Sequence, residues 1–459
     1  MNETPAILRK YFADPAGQPI EHWPDDRIRA YQTEAVAEQL AHVYTNSRFY
    51  REKFDRAGTR PGDFCSLDDL ARFPFTMKDD LRASGHGVQR STPWLLLSVP
   101  KEEVCLVHTS TGTTGGDWSY TFYTWEDMHV RDFAPYPRLL MPVKADDVVL
   151  NALPYEMSSS GQSFQRSLQG VTGALVVPAG KGGFYSDPYK TAQIMADLRV
   201  TVLITTPSYA MLLAEIVLQL GVRPSSDIPL RFIWLTGEGC APAYRRRLEE
   251  LWQCQGLVFY GSMECGSIAI ECNYQSGGHV SAGHLYLEII DPGTGRPLPP
   301  GEQGEVVCTL LQRKASPLIR YRTQDLAILD VSPCPCGVLL PRLHIRGRIV
   351  DQVAAGEAAE PVVSPYVIEE VLYSQPEIGH NYQIYFSESG LRIDAELRFD
   401  YGDPETAREH VVQQLGRRGL RAELTWVDHI PRIGGKTRRI RPLAERDAVM
   451  SAASLLKKD

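Results

Sequence analysis

The sequence predicts a mixed α/β fold, in which a large N-terminal domain with mostly parallel sheets and a β-rich subdomain precedes a small α+β domain. Three observations carry this prediction. Short apolar runs alternate with helix-like segments beyond residue 100, strand-like segments with Gly/Pro turns begin near residue 283, and a second αβ pattern follows residue 347. A chain of 459 residues also exceeds the size at which one hydrophobic core usually stops growing, so we expect at least two domains.

The alternation beyond residue 100 is typical of β-α units that build a mostly parallel sheet. Helix-like segments such as YKTAQIMADLRV and PSYAMLLAEIVLQL separate apolar runs that are each long enough for one strand. The runs are DVVLNALP (147–154), GALVVP (173–178), TVLITTP (201–207), RFIWLTGEG (231–239) and GLVFYGS (256–262). Ligands of such sheets bind at the carboxyl ends of the strands, so functional residues are expected there.

Other segments follow different patterns. Apolar residues at roughly helical spacing, including Leu40 and Val43, predict a helix over 28–58. The stretch HLYLEIIDPGTGRPLPPGEQGEVVCTLL (284–311) suggests hairpins because apolar segments alternate with Gly/Pro turns.

A short polar joint near Gly347 and Arg348 predicts the domain boundary. It divides the chain into a large domain of residues 1–346 and a small domain of residues 347–459, and the second is of ordinary size for a small domain. Helix-like segments such as VVSPYVIEEVLYSQ and ETAREHVVQQLGRRG lie in the small domain.

Composition and charge exclude several classes of partner. The chain is 43% hydrophobic and 23% charged, with a net charge of −8, a pI near 5.8 and no long basic run, so we expect neither nucleic acid nor an anionic membrane as a partner. The first residues lack the layout of a signal peptide, and no apolar run approaches the ~20 residues that cross a bilayer. The expected location is the cytoplasm.

Nine scattered cysteines without a secretory signal argue against a disulfide framework.

The stretch HTSTGTTGG (108–116) combines five hydroxyl side chains with three glycines. Such a loop offers hydroxyl donors and unobstructed backbone amides to a polyanion. It lacks the Gly-Lys-Ser/Thr ending of a Walker A loop. On its own it could equally be a polar surface turn, joining a strand either to a second strand or to a helix.

Four potential metal ligands form a second pattern. Two of the cysteines lie in a Cys-Pro-Cys-Gly turn that can present both thiolates to one ion. The spacing is not that of a common zinc finger, His284 is a competing ligand, and free cytosolic thiols are the alternative interpretation. The four candidates are Cys272, His279, Cys334 and Cys336.

Several motifs together resemble a known family, the adenylate-forming (ANL) superfamily, and within it the phenylacetate-CoA ligase-like branch of aryl-acid ligases. The resemblance covers nearly the whole chain, with the motifs in the family's order. The matching stretches are LAHVYTNSRFYREKFDRAG, SLDDLARFPFTMKDDLR, HTSTGTTGG, TTPSYAMLLAE, YGSME, ECNYQSGGH, YRTQD, CPCG and IPRIGGKTRRI.

The resemblance implies a reaction with ATP in which a carboxylate attacks the α-phosphate, releases pyrophosphate and forms an acyl-AMP. It implies that Lys436 bridges the two anionic reactants, that Glu264 helps hold Mg²⁺, and that Asp325 accepts hydrogen bonds from both ribose hydroxyls. The other nucleotide-binding residues that it implies are Thr109, Ser110, Thr111, Gly112, Thr113, Thr114, Gly115, Glu238, Tyr260, Gly261 and Arg348. Each of these also has an ordinary structural interpretation, such as a turn, core or solvated residue.

The acid pocket is harder to assign. The resemblance places Tyr155, Ser208 and Tyr209 in its wall, and we expect a small aromatic acid, hydroxylated or aminated, rather than a long acyl chain. It also implies a structural zinc ion at the Cys/His residues and a homodimer as one oligomeric state.

The acyl acceptor implied by the resemblance is CoA, which makes the expected function an ATP-dependent aryl-acid:CoA ligase. In the family the joint after the boundary is a hinge for a mobile C-terminal domain. Here the joint GRIVDQVAAGEAAEPVVSPYVIEE keeps Asp351 but lacks the second Asp and the Arg-Gly pair of relatives. Two alternatives therefore stay open: transfer to an amine, hydroxyl or carrier-protein thiol, and a catalytically idle nucleotide-binding relative.

Overall fold

The structure is a computed structural model that describes residues 13, 16–82, 93–110, 118–133, 142–183, 185–354, 362–398, 403–431 and 438–456. Short 3-10 turns and one π-turn, Leu168–Thr172, accompany the α-helices. The α-helices of the described residues are α1 Asp25–Asn46, α2 Arg48–Ala57, α3 Lys78–Arg82, α4 Trp125–Phe133, α5 Ser159–Ser167, α6 Pro188–Asp197, α7 Pro207–Gln219, α8 Pro242–Trp252, α9 Pro365–Leu372, α10 Pro404–Gly416 and α11 Arg446–Leu456. None of them is both long and apolar enough to cross a bilayer.

The strands confirm the predicted mixture of α and β structure. Each apolar run between residues 147 and 262 forms one strand, and the two segments between those runs form α6 and α7. The strands are β1 Leu106–Thr109, β2 Tyr120–Tyr123, β3 Val148–Asn151, β4 Leu175–Pro178, β5 Val202–Thr205, β6 Phe232–Thr236, β7 Gln255–Ser262, β8 Gly266–Glu271, β9 Gly278–Val280, β10 Leu285–Ile290, β11 Gln303–Leu310, β12 Tyr321–Asp330, β13 Arg342–Arg348, β14 Val353–Ala354, β15 Val362–Val363, β16 Ile378–Ser387, β17 Gly390–Leu397, β18 Ala422–Val427 and β19 Ile440–Pro442.

The chain forms two compact units. The first comprises Met1–Asp147, Leu153–Pro178 and Leu257–Arg346; the second comprises Val148–Ala152, Ala179–Gly256 and Gly347–Asp459. In the first unit, strands lie in the order β10-β11-β12-β13-β9-β8-β7, and β1 pairs with β2. The pairs β10–β11, β11–β12, β13–β9, β9–β8 and β8–β7 are antiparallel, which confirms the predicted hairpins of the β-rich region.

In the second unit, β3, β5 and β6 form a parallel set. Their side chains are almost entirely buried, as expected for strands covered on both faces. The strands β18-β17-β16-β19 form a separate sheet in the same unit, where β16 and β17 are antiparallel and the outer pairs are parallel.

Residues 28–58 are helical, as predicted, but they form two helices rather than one continuous helix. Ser47 separates α1 from α2 because its backbone is extended, and its hydroxyl accepts a hydrogen bond from the Tyr50 amide. This is a typical N-cap. The apolar faces of the two helices pack into one cluster that includes Leu40 and Phe54.

The start of α8 depends on distant residues of the second unit. Its N-cap residue, Ala241, has no side chain that can cap the helix. Instead, Glu369 Oε2 accepts a hydrogen bond from the Ala241 amide at 3.2 Å, and Glu370 Oε2 accepts one from the Ala243 amide at 2.8 Å. Carboxylates at this end of a helix also interact favourably with its dipole.

A buried ion pair in the first unit provides a test of the fold. Arg320 is 2% exposed and Glu288 is 7% exposed, and two hydrogen bonds of 2.8 and 3.1 Å join their side chains. Glu288→Ala leaves the guanidinium buried without its anion, so we expect the free energy of unfolding to fall by about 3–5 kcal/mol. Urea unfolding measures this change. Asp227→Ala, which removes an exposed partner of Arg223, is the control and should cause a much smaller loss; equal losses would contradict the prediction.

Candidate active site

The hydroxyl-rich loop begins at the β1–β2 hairpin of the first unit. Its first residues are held in place by backbone bonds, since the Thr109 amide donates to the Met157 carbonyl at 2.9 Å and the Ser110 amide donates to the Ser119 carbonyl at 3.0 Å. The Ser119 amide in turn donates to Ser110 Oγ at 2.8 Å. The loop therefore connects two strands. Thr111, Gly112, Thr113, Thr114 and Gly115 lie outside the described residues.

Glu264 lies at the turn between β7 and β8 and is joined to the base of this loop. Ser119 Oγ donates to Glu264 Oε1 at 3.1 Å, and Arg313 donates to the Glu264 carbonyl at 3.0 Å. Only 7% of the residue is exposed. The structure thus brings a nearly buried carboxylate to the end of the hydroxyl-rich loop.

Tyr260 and Asp325 form the second contact between predicted site residues. The Tyr260 hydroxyl donates to Asp325 Oδ2 at 2.6 Å. Burial and the neighbouring carboxylate raise the pKa of Tyr260 well above its usual value, so the phenol keeps its proton. The Asp325 amide donates to Thr323 Oγ1 within β12 at 3.1 Å. The hydrogen bond between Tyr260 and Asp325 therefore joins the side chains of two strands of the first unit, β7 and β12.

Gly261 follows Tyr260 at a point where the backbone of β8 approaches closely. A Cβ atom at residue 261 would lie 2.4 Å from the Gly266 carbonyl oxygen. Any other residue would therefore displace the strand end that carries Tyr260. A similar contact fixes Tyr155, because a Cβ atom at Gly161 would lie 2.6 Å from its ring.

Three predicted residues of the second unit, Glu238, Ser208 and Tyr209, also lie together. The Ser208 amide donates to Glu238 Oε2 at 3.2 Å, and Lys181 donates to Oε1 at 3.0 Å. Burial alone would raise the pKa of Glu238, but Lys181, Arg439 and the Ser208 hydrogen bond outweigh it and lower the pKa to about 2. Tyr209 is 1% exposed in the first turn of α7, and Thr206 caps that helix.

Arg348 lies at the end of β13 and precedes a 3-10 turn, Ile349–Asp351. Lys436 lies outside the described residues.

The four predicted metal ligands converge in the first unit. Their ligand atoms all lie within 4.8 Å of one another, with Cys272 Sγ 3.7 Å from Cys334 Sγ and Cys336 Sγ 3.2 Å from His279 Nε2. His279 Nδ1 lies 3.0 Å from the Leu340 carbonyl oxygen, which leaves Nε2 to bind a metal. The competing candidate, His284, contacts the Cys265 carbonyl instead.

Comparison with known proteins identifies the family. The sequence profile described as AMP-binding enzyme matches residues 119–309. The chain is 33% identical to phenylacetate-coenzyme A ligase of Thermus thermophilus over 419 residues, which are 89% of this chain and 88% of that protein. It is 30% identical to phenylacetate-coenzyme A ligase of Escherichia coli K12 over 439 residues, or 92% of this chain and 96% of that protein. The chain belongs to the phenylacetate-CoA ligase-like branch of the adenylate-forming enzymes.

Solved structures agree on the fold. A crystal structure of 2-hydroxyisobutyryl-CoA ligase in the postadenylation state, in complex with 2-HIB-AMP, has a TM-score of 0.82 at 23% identity and covers 98% of this chain and 97% of that chain. The anthranilate CoA ligase AuaEII in complex with anthranoyl-AMP has a TM-score of 0.55 at 15% identity and covers 84% of this chain and 76% of that chain. The predicted family, fold class and enzyme class, an adenylate-forming ligase, are confirmed.

Two polar residues beside the predicted sites of this ligase were missed by sequence reasoning. Ser119 joins Ser110 to Glu264, but one serine after a loop rich in hydroxyls carries no distinguishing signal. Lys181 pairs with Glu238, and here a signal exists: it is a single lysine among glycines in AGKGG, directly after the apolar run that forms β4.

His108, beside the loop, makes stability dependent on pH. Burial, with Arg131 nearby, lowers its pKa from 6.5 to about 4. The unfolded chain therefore binds a proton below pH 6.5 that the folded chain does not bind until about pH 4, so stability falls as the pH falls through this window. We expect His108→Gln to reduce the loss of unfolding free energy between pH 7 and pH 5.5 by about 1 kcal/mol. Urea unfolding at both pH values measures it. The exposed His410→Gln is the control; an unchanged pH dependence in His108→Gln would contradict the assignment.

Proposed function

We propose that this enzyme uses ATP to activate a small aromatic carboxylic acid as an acyl-AMP and then transfers the acyl group to CoA. The observation that carries the proposal is the alignment with phenylacetate-coenzyme A ligases over 89% of the chain. The contact between Tyr260 and Asp325 supports it, because it joins two residues of separate family motifs in one place.

Asp325 is proposed to accept hydrogen bonds from the ribose hydroxyls, with Tyr260 and Gly261 beside the adenosine. A carboxylate has about four lone-pair sites, so the bond from Tyr260 leaves acceptors for a ribose. Glu238 and Arg348 are proposed as further nucleotide contacts. Tyr155, Ser208 and Tyr209 are proposed to line the acid pocket.

The phosphates are proposed to lie against Thr109, Ser110 and residues 111–115. Hydroxyl and amide donors there would stabilise phosphate oxygens. Glu264 is proposed to bind Mg²⁺, which neutralises charge on the departing pyrophosphate. Its position at the end of the loop supports this role, since Ser119 connects it to Ser110.

Lys436 is proposed to bridge the carboxylate and the α-phosphate, because two anions approach one another only when a cation offsets their repulsion. We further propose that residues 347–459 form the small domain that carries this lysine. The resemblance also implies a homodimer, which light scattering after size-exclusion chromatography tests.

The variants Lys436→Ala and Asp325→Ala should impair different steps of the reaction, adenylation in the first and ATP binding in the second. With a panel of aromatic acids, Lys436→Ala should reduce pyrophosphate release by at least about a hundredfold while ATP binding, measured by calorimetry, changes little. Asp325→Ala should weaken ATP binding by about 1.5–3 kcal/mol, roughly ten- to a hundredfold. Unchanged pyrophosphate release in Lys436→Ala would contradict its role.

The acceptor is tested in the same reactions. Addition of CoA should convert the acyl-AMP to a thioester that mass spectrometry detects. Pyrophosphate release without a thioester would favour a different acyl acceptor, and ATP binding without release for any acid would favour a catalytically idle relative.

We also propose that Cys272, His279, Cys334 and Cys336 hold a structural zinc ion. Thiolate and imidazole ligands are typical of closed tetrahedral zinc sites. Two of the separations between ligand atoms, 3.7 and 3.2 Å, are close to the roughly 3.3–3.8 Å expected around one tetrahedral zinc ion, and all four atoms lie within 4.8 Å of one another. Such an ion would bind β8, β9 and the Cys334–Cys336 turn together.

Elemental analysis should find about one zinc per chain. Cys334→Ser combined with Cys336→Ser should remove it and lower Tm by at least about 5 °C, because metal binding contributes to folding. The exposed Cys65→Ser is the control and should change neither value. Purified protein without zinc, at full stability, would contradict the proposal.

A further inference from the structure

Glu238 is proposed above as a nucleotide contact, but its ion-pair partner in the second unit, Lys181, has no role yet. Lys181 Nζ lies 3.0 Å from Glu238 Oε1, and their side chains are 11% and 12% exposed. The pair is therefore largely withdrawn from water but still reachable by a solute.

Loops from three parallel strands converge at this pair. Glu238 follows β6 by two residues, and Ser208, which binds Glu238 Oε2, follows β5 by three. The loop that carries Lys181 is tied to β3, since the amides of residues 179 and 180 donate to the Asn151 carbonyl, the last of that strand. The carboxyl ends of β6, β5 and β3 thus surround one charged group, and this edge is where open α/β sheets bind ligands.

The loop that carries Lys181 packs against a buried aromatic side chain, Tyr209. Gly182 follows Lys181 with φ +70°, a conformation that favours glycine. A Cβ atom there would lie 3.6 Å from the ring of Tyr209, so this loop packs against the first turn of α7.

The cost of the pair argues against a purely structural role. Burial of two charges costs desolvation energy that their attraction repays only in part, and apolar residues of similar volume are often at least as stable. Glu238 accepts two hydrogen bonds among the described residues, whereas a carboxylate offers about four lone-pair sites. A hydrogen-bond donor on a ligand can therefore be accommodated.

Building on the proposed function, we infer that Lys181 and Glu238 determine acid specificity and select an aromatic acid that carries a ring hydroxyl or amino group. Glu238 accepts a hydrogen bond from the hydroxyl or amino group, and Lys181 holds Glu238 in position. An acid that lacks the ring hydroxyl or amino group gives the Glu238 carboxylate no hydrogen-bond donor. Binding sites that hydrogen-bond a polar substituent discriminate against analogues without that substituent.

The test uses matched acids with the full-length enzyme. Pyrophosphate release is measured for benzoate and phenylacetate and for their hydroxyl, amino and methyl derivatives at each ring position. The best hydroxyl or amino acid should exceed its methyl analogue in kcat/KM by at least about tenfold. In Lys181→Met/Glu238→Leu the ratio should fall below about threefold, because both acids of a pair then meet the same apolar side chains.

Two further variants keep the test decisive. Arg223→Met/Asp227→Leu removes an exposed pair of the same unit and should leave the ratio unchanged. Glu238→Gln preserves the size of the side chain and should lower the ratio even if the double variant fails to fold. A wild type that prefers methyl or unsubstituted acids, or variants that retain the original ratio, would overturn the inference. If the wild-type enzyme releases no pyrophosphate with any acid, the proposed function fails as well. If it releases pyrophosphate but has a higher kcat/KM for methyl acids than for hydroxyl or amino acids, only the specificity inference fails.

Discussion

The parallel alignment of β3, β5 and β6 is the constraint on which the second unit depends. The carboxyl ends of parallel strands lie at the same edge of the sheet. Loops that are far apart in sequence therefore meet at that edge. Because the strands are buried on both faces, their apolar side chains maintain the register, and the loops are free to carry charge. The ion pair of Lys181 and Glu238 exists at this edge because the strands bring residues 181 and 238 together.

Much of this arrangement follows from the sequence. The strands between residues 147 and 262 were predictable because parallel strands consist of short apolar runs, and the metal cluster because cysteine pairs with a histidine are uncommon. Residues in family motifs, such as Asp325 and Glu264, were predictable only from the pattern of several motifs together. The break at Ser47 was missed, since apolar spacing continues through it and only the local hydrogen bond of its hydroxyl ends the helix. The glycine-rich stretch around Lys181 could have marked that lysine, but its pairing with Glu238 depends on a tertiary distance that the sequence does not show.

The ion pairs of the two units lie in different surroundings. In the first, Arg320 and Glu288 neutralise one another in the interior and contribute to the packing of the β-rich region. In the second, Glu238 is paired with Lys181 but remains near solvent. The antiparallel strands of the first unit also position Tyr260 beside Asp325, where a protonated phenol orients a carboxylate. The same elementary interaction, an ion pair, therefore lies deep in the interior in one unit and close to solvent at the strand ends in the other.

The first turn of α8 is assembled from two distant stretches of polypeptide, because Glu369 and Glu370 supply the acceptors that Ala241 cannot. A gene cut at codon 347 would thus encode an N-terminal fragment whose α8 begins with two unsatisfied amide groups. Splitting this enzyme for complementation or tagging at that joint would fray a helix more than a hundred residues upstream, whereas insertion at an exposed loop would spare it.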